Sequence, residues 1–335
     1  MLNLKNLLGA CTVASVDVVV PNYQYARFLP QCIDSVLRQQ VHDLRVLIID
    51  NASTDNSLEV AQELARLDRR IEVQQHQTNL GFHASVNEGL DWATSDYVMI
   101  LCSDDFLPAG ALARAVSILE ANPSVAFAYG PYAELRKQNL PIAVHAAQEN
   151  WKIEPGSSFI TRCCGSMVQT MAPLVRTAVQ RRAGYYRTEL AQTSDLEILL
   201  RLACYGDVAA TCAIQGVQRI HQNNISINAW NDPVLTALQE IEMFDCFFRN
   251  EGKGLPSAAN AHRRARRNIA QRAYWRGLAR VVRGQPRDAV KLLALAARLS
   301  PDLVIMPPIR QLVRMKLSRP QGRGMAAAGA PGQRP

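Results

Sequence analysis

Two adjacent carboxylates, Asp104 and Asp105, follow the apolar run Tyr97-Val98-Met99-Ile100-Leu101 after only Cys102-Ser103. A run of that kind bounded by polar residues reads as a buried strand, so the pair stands where the strand ends. In open α/β sheets ligands bind in the crevice outside those ends, and hard cations that accompany phosphates are held by one or two carboxylates. The pair therefore suits a metal site. It suits equally well a turn and helix N-cap ahead of Pro108-Ala109-Gly110-Ala111-Leu112. Two further polar clusters, Pro21-Asn22-Tyr23 and Asp50-Asn51-Ala52-Ser53, also follow β-rich runs.

From Val16 to Gly130, short β-rich runs alternate with amphipathic stretches, the pattern of βαβ units and a largely parallel sheet. The strands predicted are Val16 to Val20, Leu44 to Asp50, Ile71 to Gln75, Tyr97 to Leu101 and Val125 to Tyr129. Helices fill the gaps: one carries Phe28, Ile33, Val36 and Leu37, a second follows Asp55 as its N-cap, and a third runs from about Phe82 to Trp92. Right-handed crossovers then bring the three polar clusters to one sheet edge. Residues 131 to 192 are punctuated by Gly and Pro and read as loops with a few short strands. Helical periodicity returns at Thr193-Ser194-Asp195, a polar trio that reads locally as a helix start, and Val208 to Gln218 reads as a strand leading to His221.

At 335 residues, 48% hydrophobic and 20% charged, the chain has material for a large core. No apolar stretch approaches the ~20 residues needed to cross a bilayer, and the N-terminus lacks the charged start and small-residue cleavage site of a signal peptide, so a cytoplasmic location is expected. The eight cysteines form no C-x-x-C pair, which supports neither a zinc cage nor a disulfide framework. Reduced, mostly buried thiols are expected. The net charge of +8 is unevenly spread: residues 1–248 carry −8 and residues 249–335 carry +16, with 19 Lys+Arg against 3 Asp+Glu. A basic segment on an acidic body points to an anionic surface partner.

The order of these pieces closely resembles family 2 glycosyltransferases, inverting enzymes with the A-type nucleotide-sugar-binding fold. The likeness covers roughly residues 16 to 226 and is carried by Pro21-Asn22-Tyr23, Asp50-Asn51-Ala52-Ser53-Thr54-Asp55, Asn79-Leu80-Gly81, Asn87-Glu88-Gly89 and Ser103-Asp104-Asp105. The resemblance implies an α/β fold with a mostly parallel, Rossmann-like sheet flanked by helices and a C-terminal helical extension. It implies that Asp50 binds the donor's base, that Pro21, Asn22 and Tyr23 hold the nucleoside, and that Asn79 and Gly81 complete the donor pocket. Asp104 would lie near the ribose or sugar, and Asp105 would coordinate a divalent cation, Mn or Mg, on the diphosphate. Gly81 and Gly89 would let the backbone approach the donor. Asp195 matches the general base, with Glu197 as its fallback. His221 matches a histidine turned toward the metal, or is a structural imidazole. Arg176 reads as an acceptor or phosphate contact, or as a surface arginine. Three departures stand out: Cys102 where many relatives have Asp, Val86 where many have Arg, and Ser194 where Glu commonly precedes the base.

The implied activity is transfer of a sugar from a nucleotide-diphosphate donor, by default a UDP-sugar, to a hydroxyl acceptor, a saccharide or lipid-linked saccharide of the cell envelope. The alternative is a catalytically silent nucleotide-sugar-binding scaffold that works through its basic helices. The domains expected are a lead segment 1–15, a catalytic domain 16–230 (donor half 16–130, acceptor half 131–230), a basic helical extension 231–317 and a disordered tail 318–335. In the extension, Arg272, Arg276, Arg280 and Arg283 are expected on one helix side, opposite Ile269, Ala273, Leu278 and Val281. Such a surface, continued by residues 309–317, suits peripheral attachment to an anionic membrane on its inner face, or is a solvated basic face. No nucleic-acid partner is expected, since no reading module accompanies the charge.

Overall fold

The computed structural model describes residues 14–136, 150–166, 168, 171–190, 192–222, 224 and 232–304. The segment before residue 14, the basic stretch 309–317 and the tail 318–335 lie outside the described residues. Two compact units are present, Met1–Ala265 and Arg266–Pro335.

The first unit is built on an eight-stranded sheet. In chain order the strands are β1 (Ser15–Asn22), β2 (Asp43–Asp50), β3 (Ile71–Gln75), β4 (Tyr97–Ile100), β5 (Val125–Tyr129), β6 (Tyr132–Leu135), β7 (Trp151–Glu154), β8 (Leu174–Arg176), β9 (Asp207–Thr211) and β10 (Gly216–Arg219). The large sheet runs β3-β2-β1-β4-β8-β5-β9-β7, and β10-β6 forms a separate pair. The pairings β1–β2, β1–β4, β2–β3 and β5–β9 are parallel, whereas β8 enters antiparallel between β4 and β5, and β7 closes one edge antiparallel to β9. The expected mostly parallel α/β architecture is therefore present. Near-continuous burial of β1, β2 and β5 follows from helices covering both faces of the sheet.

The helices of this unit are α1 (Leu29–Leu37), α2 (Ser57–Leu67), α3 (Phe82–Trp92), α4 (Ala111–Ala121), α5 (Gly156–Cys163), α6 (Thr177–Ala183), α7 (Ser194–Leu202) and α8 (Pro233–Arg249). Leu29, Cys32, Ile33 and Val36 of α1 bury one stripe against Val16, Val18 and Val20 of β1 in a single core. The start of α2 differs from expectation: its N-cap position is Asn56, and Asp55 instead accepts hydrogen bonds from Ser57 N (3.1 Å) and Ala26 N (3.2 Å). Asp55 thus ties the loop after β1 to the one after β2. The stretch 131–192 holds more regular structure than its punctuation suggests, because α5 and α6, of 8 and 7 residues, are too short to show a helical period. The strand expected over Val208 to Gln218 is two strands. Between them the chain leaves the large sheet, where β9 lies beside β5, to join β6.

Gly89 does not approach a ligand. A Cβ at this position would lie 2.2 Å from Val19 Cγ1, so its hydrogen is what lets α3 rest on β1. Gly89→Ala is expected to destabilise the protein by about 1–3 kcal/mol, as overpacking of a filled core does, read as a lower urea midpoint.

In the C-terminal part, α9 (Ala258–Val282) and α10 (Pro286–Leu299) are helical as expected. The predicted amphipathic split of α9 is not found: apolar and basic residues do not separate onto opposite sides over its length, and Val281 and Val282 are exposed. Its buried positions are mostly alanines, Ala261, Ala265, Ala270 and Ala273 with Ile269, and alanine contributes little apolar contrast. Arg280 Nη1 pairs with Asp288 at 2.7 Å across the turn to α10.

Candidate active site

Parallel strands with right-handed returns deliver β1, β2 and the segment after β4 to one edge, and the polar clusters collect there. Asn22, the last residue of β1, pairs with Asp50, the last residue of β2, in the ladder register. Its Nδ2 donates to Asp50 Oδ1 at 3.0 Å, while Ser53 N donates to Asp50 Oδ2 at 3.0 Å. Asp50 is buried, and each oxygen keeps a further lone pair for a ligand. Next to it, Asn51 Nδ2 donates to Asn79 Oδ1 at 2.9 Å, and Gly81 N donates to the same oxygen at 2.9 Å. Gly81, at φ +87° with open space around its missing Cβ, starts α3 in a backbone region closed to most side chains. Gln24 and Ala52 hold φ of 57° without being glycine, which marks the loops after β1 and β2 as strained. Tyr23 is exposed, and Gln24 Nε2 donates to its Oη at 3.1 Å. Pro21, Asn22, Asp50, Asn79 and Gly81 thus form one connected rim.

His76 belongs to this rim although no sequence signal singled it out. Its Nδ1 lies 2.8 Å from Asn51 Oδ1 and its Nε2 meets Glu88 Oε2 at 2.5 Å, so it orients Asn51 from behind. A lone histidine has no period or spacing that distinguishes it from any other.

Asp104 and Asp105 stand in the turn after β4 and are both buried. The Sγ of Cys102 and one carboxylate oxygen of each lie within 4.8 Å of one another. Asp104 Oδ2 meets His221 Nε2 at 3.1 Å and accepts from Asn224 Nδ2 at 3.1 Å; Asp105 Oδ1 accepts from Arg219 N at 2.9 Å. His221 stacks on Phe28 at 4.9 Å and meets Tyr25 edge-on at 5.3 Å. These contacts place β10 and the residues after it beside the acidic turn, so His221 joins the site. Burial pushes both carboxyls up; His221 and Arg219 oppose the rise at Asp104, whereas Asp104 itself adds to it at Asp105, which reaches about 8. The contrast with Asp17 is instructive. That equally buried carboxylate accepts from Arg45 Nε and Nη2, Thr94 N, Ser95 N and Ser95 Oγ at 2.7–2.8 Å, and so is saturated by the fold. Asp105 is left with spare acceptor capacity.

A carboxyl whose folded-state pKa lies above its unfolded one keeps its proton longer in the folded chain. Its contribution to stability is complete below the ordinary carboxylate range and is lost as pH rises to about 8. Asp105→Asn, a neutral copy of the protonated form, is expected to stabilise the cation-free protein by about 1–3 kcal/mol above that pH. The gain should shrink toward about pH 4, where the native residue is itself neutral; denaturant titrations at both pH values measure it.

Asp195 lies in the first turn of α7, where Thr193 is the N-cap position without a side-chain cap, so Asp195 is not the cap residue. Burial raises its carboxyl and His83 opposes the rise. His83, from the first turn of α3, has Nε2 2.7 Å from Ser194 Oγ. The negative charge of Asp195 also raises the thiol of Cys102 and the hydroxyl of Tyr186, which puts it in the electrostatic reach of the turn after β4. Asn87 ties Tyr186 to α3 by two backbone bonds, Nδ2 to Tyr186 O at 3.0 Å and Tyr186 N to Oδ1 at 2.8 Å.

Two sequence candidates fall elsewhere. Glu197 is wholly buried, with Arg201 Nε at 2.9 Å from both its oxygens and Arg187 Nη1 on Oε1. Arg176 is neither an acceptor contact nor a free surface cation: it donates to the carbonyls of Val125, Leu119 and Asn122, closing the end of α4. Val86 is buried in the core, so no arginine-like cation arises there. Among the described residues no cysteines are joined; Cys32, Cys163 and Cys164 are buried, Cys102, Cys204 and Cys246 half-buried and Cys212 exposed, which is less burial than expected. No helix among the described residues is long and apolar enough to cross a membrane.

Residues 17–168 match the sequence family described as glycosyl transferase family 2. A curated relative, the uncharacterized glycosyltransferase EpsJ of Bacillus subtilis, is 33% identical over 107 residues, 32% of this chain and 31% of that protein. The aligned stretches span less than half the length of the curated relatives. Among solved structures, S. aureus TarS 1–349 in complex with UDP-GlcNAc superposes with a TM-score of 0.55 at 16% identity, covering 83% of this chain and 89% of that one. A mannosyltransferase of Pyrobaculum calidifontis in complex with GDP-Man and Mn2+ gives 0.56 at 18% identity, covering 91% and 81%. At these identities the two structures establish the shared fold.

Proposed function

We propose, for a chain that belongs to glycosyltransferase family 2 through residues 17–168, that it moves a sugar from a nucleotide-diphosphate donor to a hydroxyl acceptor with inversion at the anomeric carbon. One observation carries this reading: the Asn22–Asp50 rim, the acidic turn Asp104–Asp105 with His221, and Asp195 are contributed by distant segments to one end of the sheet.

In this reading Asp50 takes a hydrogen bond from the nucleobase, with Pro21, Asn22 and Tyr23 against the nucleoside and Asn79 and Gly81 completing the pocket. Asp104 faces the ribose or sugar. Asp105 and His221 hold a divalent cation, Mn or Mg, that when bound stabilises charge on the departing diphosphate. Asp195 accepts the acceptor's hydroxyl proton as that oxygen bonds to the anomeric carbon and the carbon–oxygen bond to the nucleoside diphosphate breaks on the opposite face. Burial makes its carboxylate a stronger base than an exposed one would be. The catalytic part is assigned to 16–230, with 16–130 as the donor half.

The solved relative holding UDP-GlcNAc supports a UDP-sugar as the first donor to try. A saccharide or lipid-linked saccharide of the cell envelope is the proposed acceptor. The charge of residues 249–335 supports work at an anionic leaflet, where each basic residue near the surface contributes about 1 kcal/mol.

The test is a thermal-shift panel of nucleotide sugars with Mn2+. A donor at a hundred times its Kd should stabilise the protein by about 2.7 kcal/mol, and Asp50→Ala should lose that shift. A panel in which no nucleotide sugar raises the melting temperature would refute the reading.

A further inference from the structure

The acidic turn differs from a site made of oxygen alone in one atom. Cys102 Sγ shares with Asp104 and Asp105 a space in which three donor atoms lie within 4.8 Å of one another, close enough for one ion to touch them together. Asp105, 5% exposed, accepts a single hydrogen bond among the described residues, from Arg219 N, so its second oxygen has no protein donor. In the same turn Ser103 Oγ is buried without a partner. A saturated structural carboxylate such as Asp17 shows what the fold does when an acid is only a brace; this turn is built otherwise.

From this geometry we infer that Cys102 is a direct ligand of the divalent cation and makes the site select thiophilic ions over Mg2+. This rests on Asp105 being a cation ligand, as in the function proposed above. On binding, the Cys102 thiol gives its proton to solvent and the resulting thiolate forms the sulfur–metal bond. Magnesium demands hard oxygen ligands in near-ideal octahedral order, whereas sulfur favours Zn2+, Co2+ and Cd2+. One thiolate and the Asp105 carboxylate balance the charge of a divalent ion and leave coordination positions for substrate oxygens.

The experiment titrates the full-length protein, without donor or acceptor, with Cd2+ and Co2+, and follows the ultraviolet sulfur-to-metal charge-transfer band. Wild type and the exposed-thiol control Cys212→Ser should show a band that saturates at one ion per chain. Cys102→Ser should lose it, with Cd2+ affinity reduced at least about tenfold, the loss typical of removing a group that supports a metal site. Cys102→Asp should bind Mg2+ and Mn2+ without the band. An unchanged band and Cd2+ affinity in Cys102→Ser would overturn the inference. X-ray absorption on Zn2+-loaded wild type needs no variant: one sulfur among the ligands is the expected result, and ligation by oxygen and nitrogen alone refutes it. Loss of transfer activity with the band intact counts against the catalytic reading alone, and transfer without any sulfur ligation counts against this inference alone.

Discussion

Asp195→Asn is expected to lower sugar transfer about 10²- to 10⁴-fold, the contribution of a positioned general base, while donor binding in the thermal-shift panel stays at the wild-type level. The asparagine keeps the shape and removes the proton acceptor. Because burial holds the Asp195 carboxyl above the ordinary carboxylate range, the acid limb of kcat should lie above the pH at which an exposed aspartate titrates. The imidazole of His83 opposes that rise, so His83→Ala should move the limb to still higher pH. Rates of donor consumption with acceptor present, measured for the three proteins across pH, decide it. An Asp195→Asn protein that turns over like wild type would end the assignment.

Glu197→Ala should produce the opposite pattern: a loss of about 3–5 kcal/mol of stability, typical of stranding the partner of a buried ion pair. Arg201, itself 3% exposed, would keep its bonds to the carbonyls of Ala183 and Tyr185 but lose its only buried counter-charge. Arg187 would keep Glu251 at 2.7 Å. Chemical denaturation measures the effect, and transfer per folded molecule should change far less than in Asp195→Asn. A Glu197→Ala protein with native stability and no activity would instead restore Glu197 as the base.

These two acids show where reading a chain stops. Both lie two residues apart in a sequence that resembles a base motif, and nothing in composition or spacing separates them. On a helix of 3.6 residues per turn, positions two apart point to nearly opposite sides. One therefore reaches toward His83 and the site, and the other toward Arg187 and Arg201. Which side is which depends on how α7 is rolled against its neighbours.

The βαβ frame was legible because burial on both faces of a parallel sheet writes itself as short apolar runs. The bounds of β3, β5 and α3 agree with their predicted runs, and Asp50 and Asn22 fall at strand ends as read. The insertion of β8, only 3 residues long, between β4 and β5 was not legible, since a strand that short carries no period. Nor was the second sheet that brings His221 and Asn224 to Asp104.

What the amino-acid order by itself determined is the alternating frame and the residues that end its strands, because local hydrophobic period and turn chemistry are properties of neighbours along the chain. What the tertiary structure alone decided is which acids remain open: Asp17 is saturated, Glu197 is bound by arginines, and Asp105 beside the Cys102 thiol keeps an oxygen without a donor. The physical reason is that hydrogen-bond saturation of a buried carboxylate depends on donors supplied from distant segments, Thr94 and Ser95 for Asp17 and Arg219 for Asp105, and no local pattern encodes their arrival.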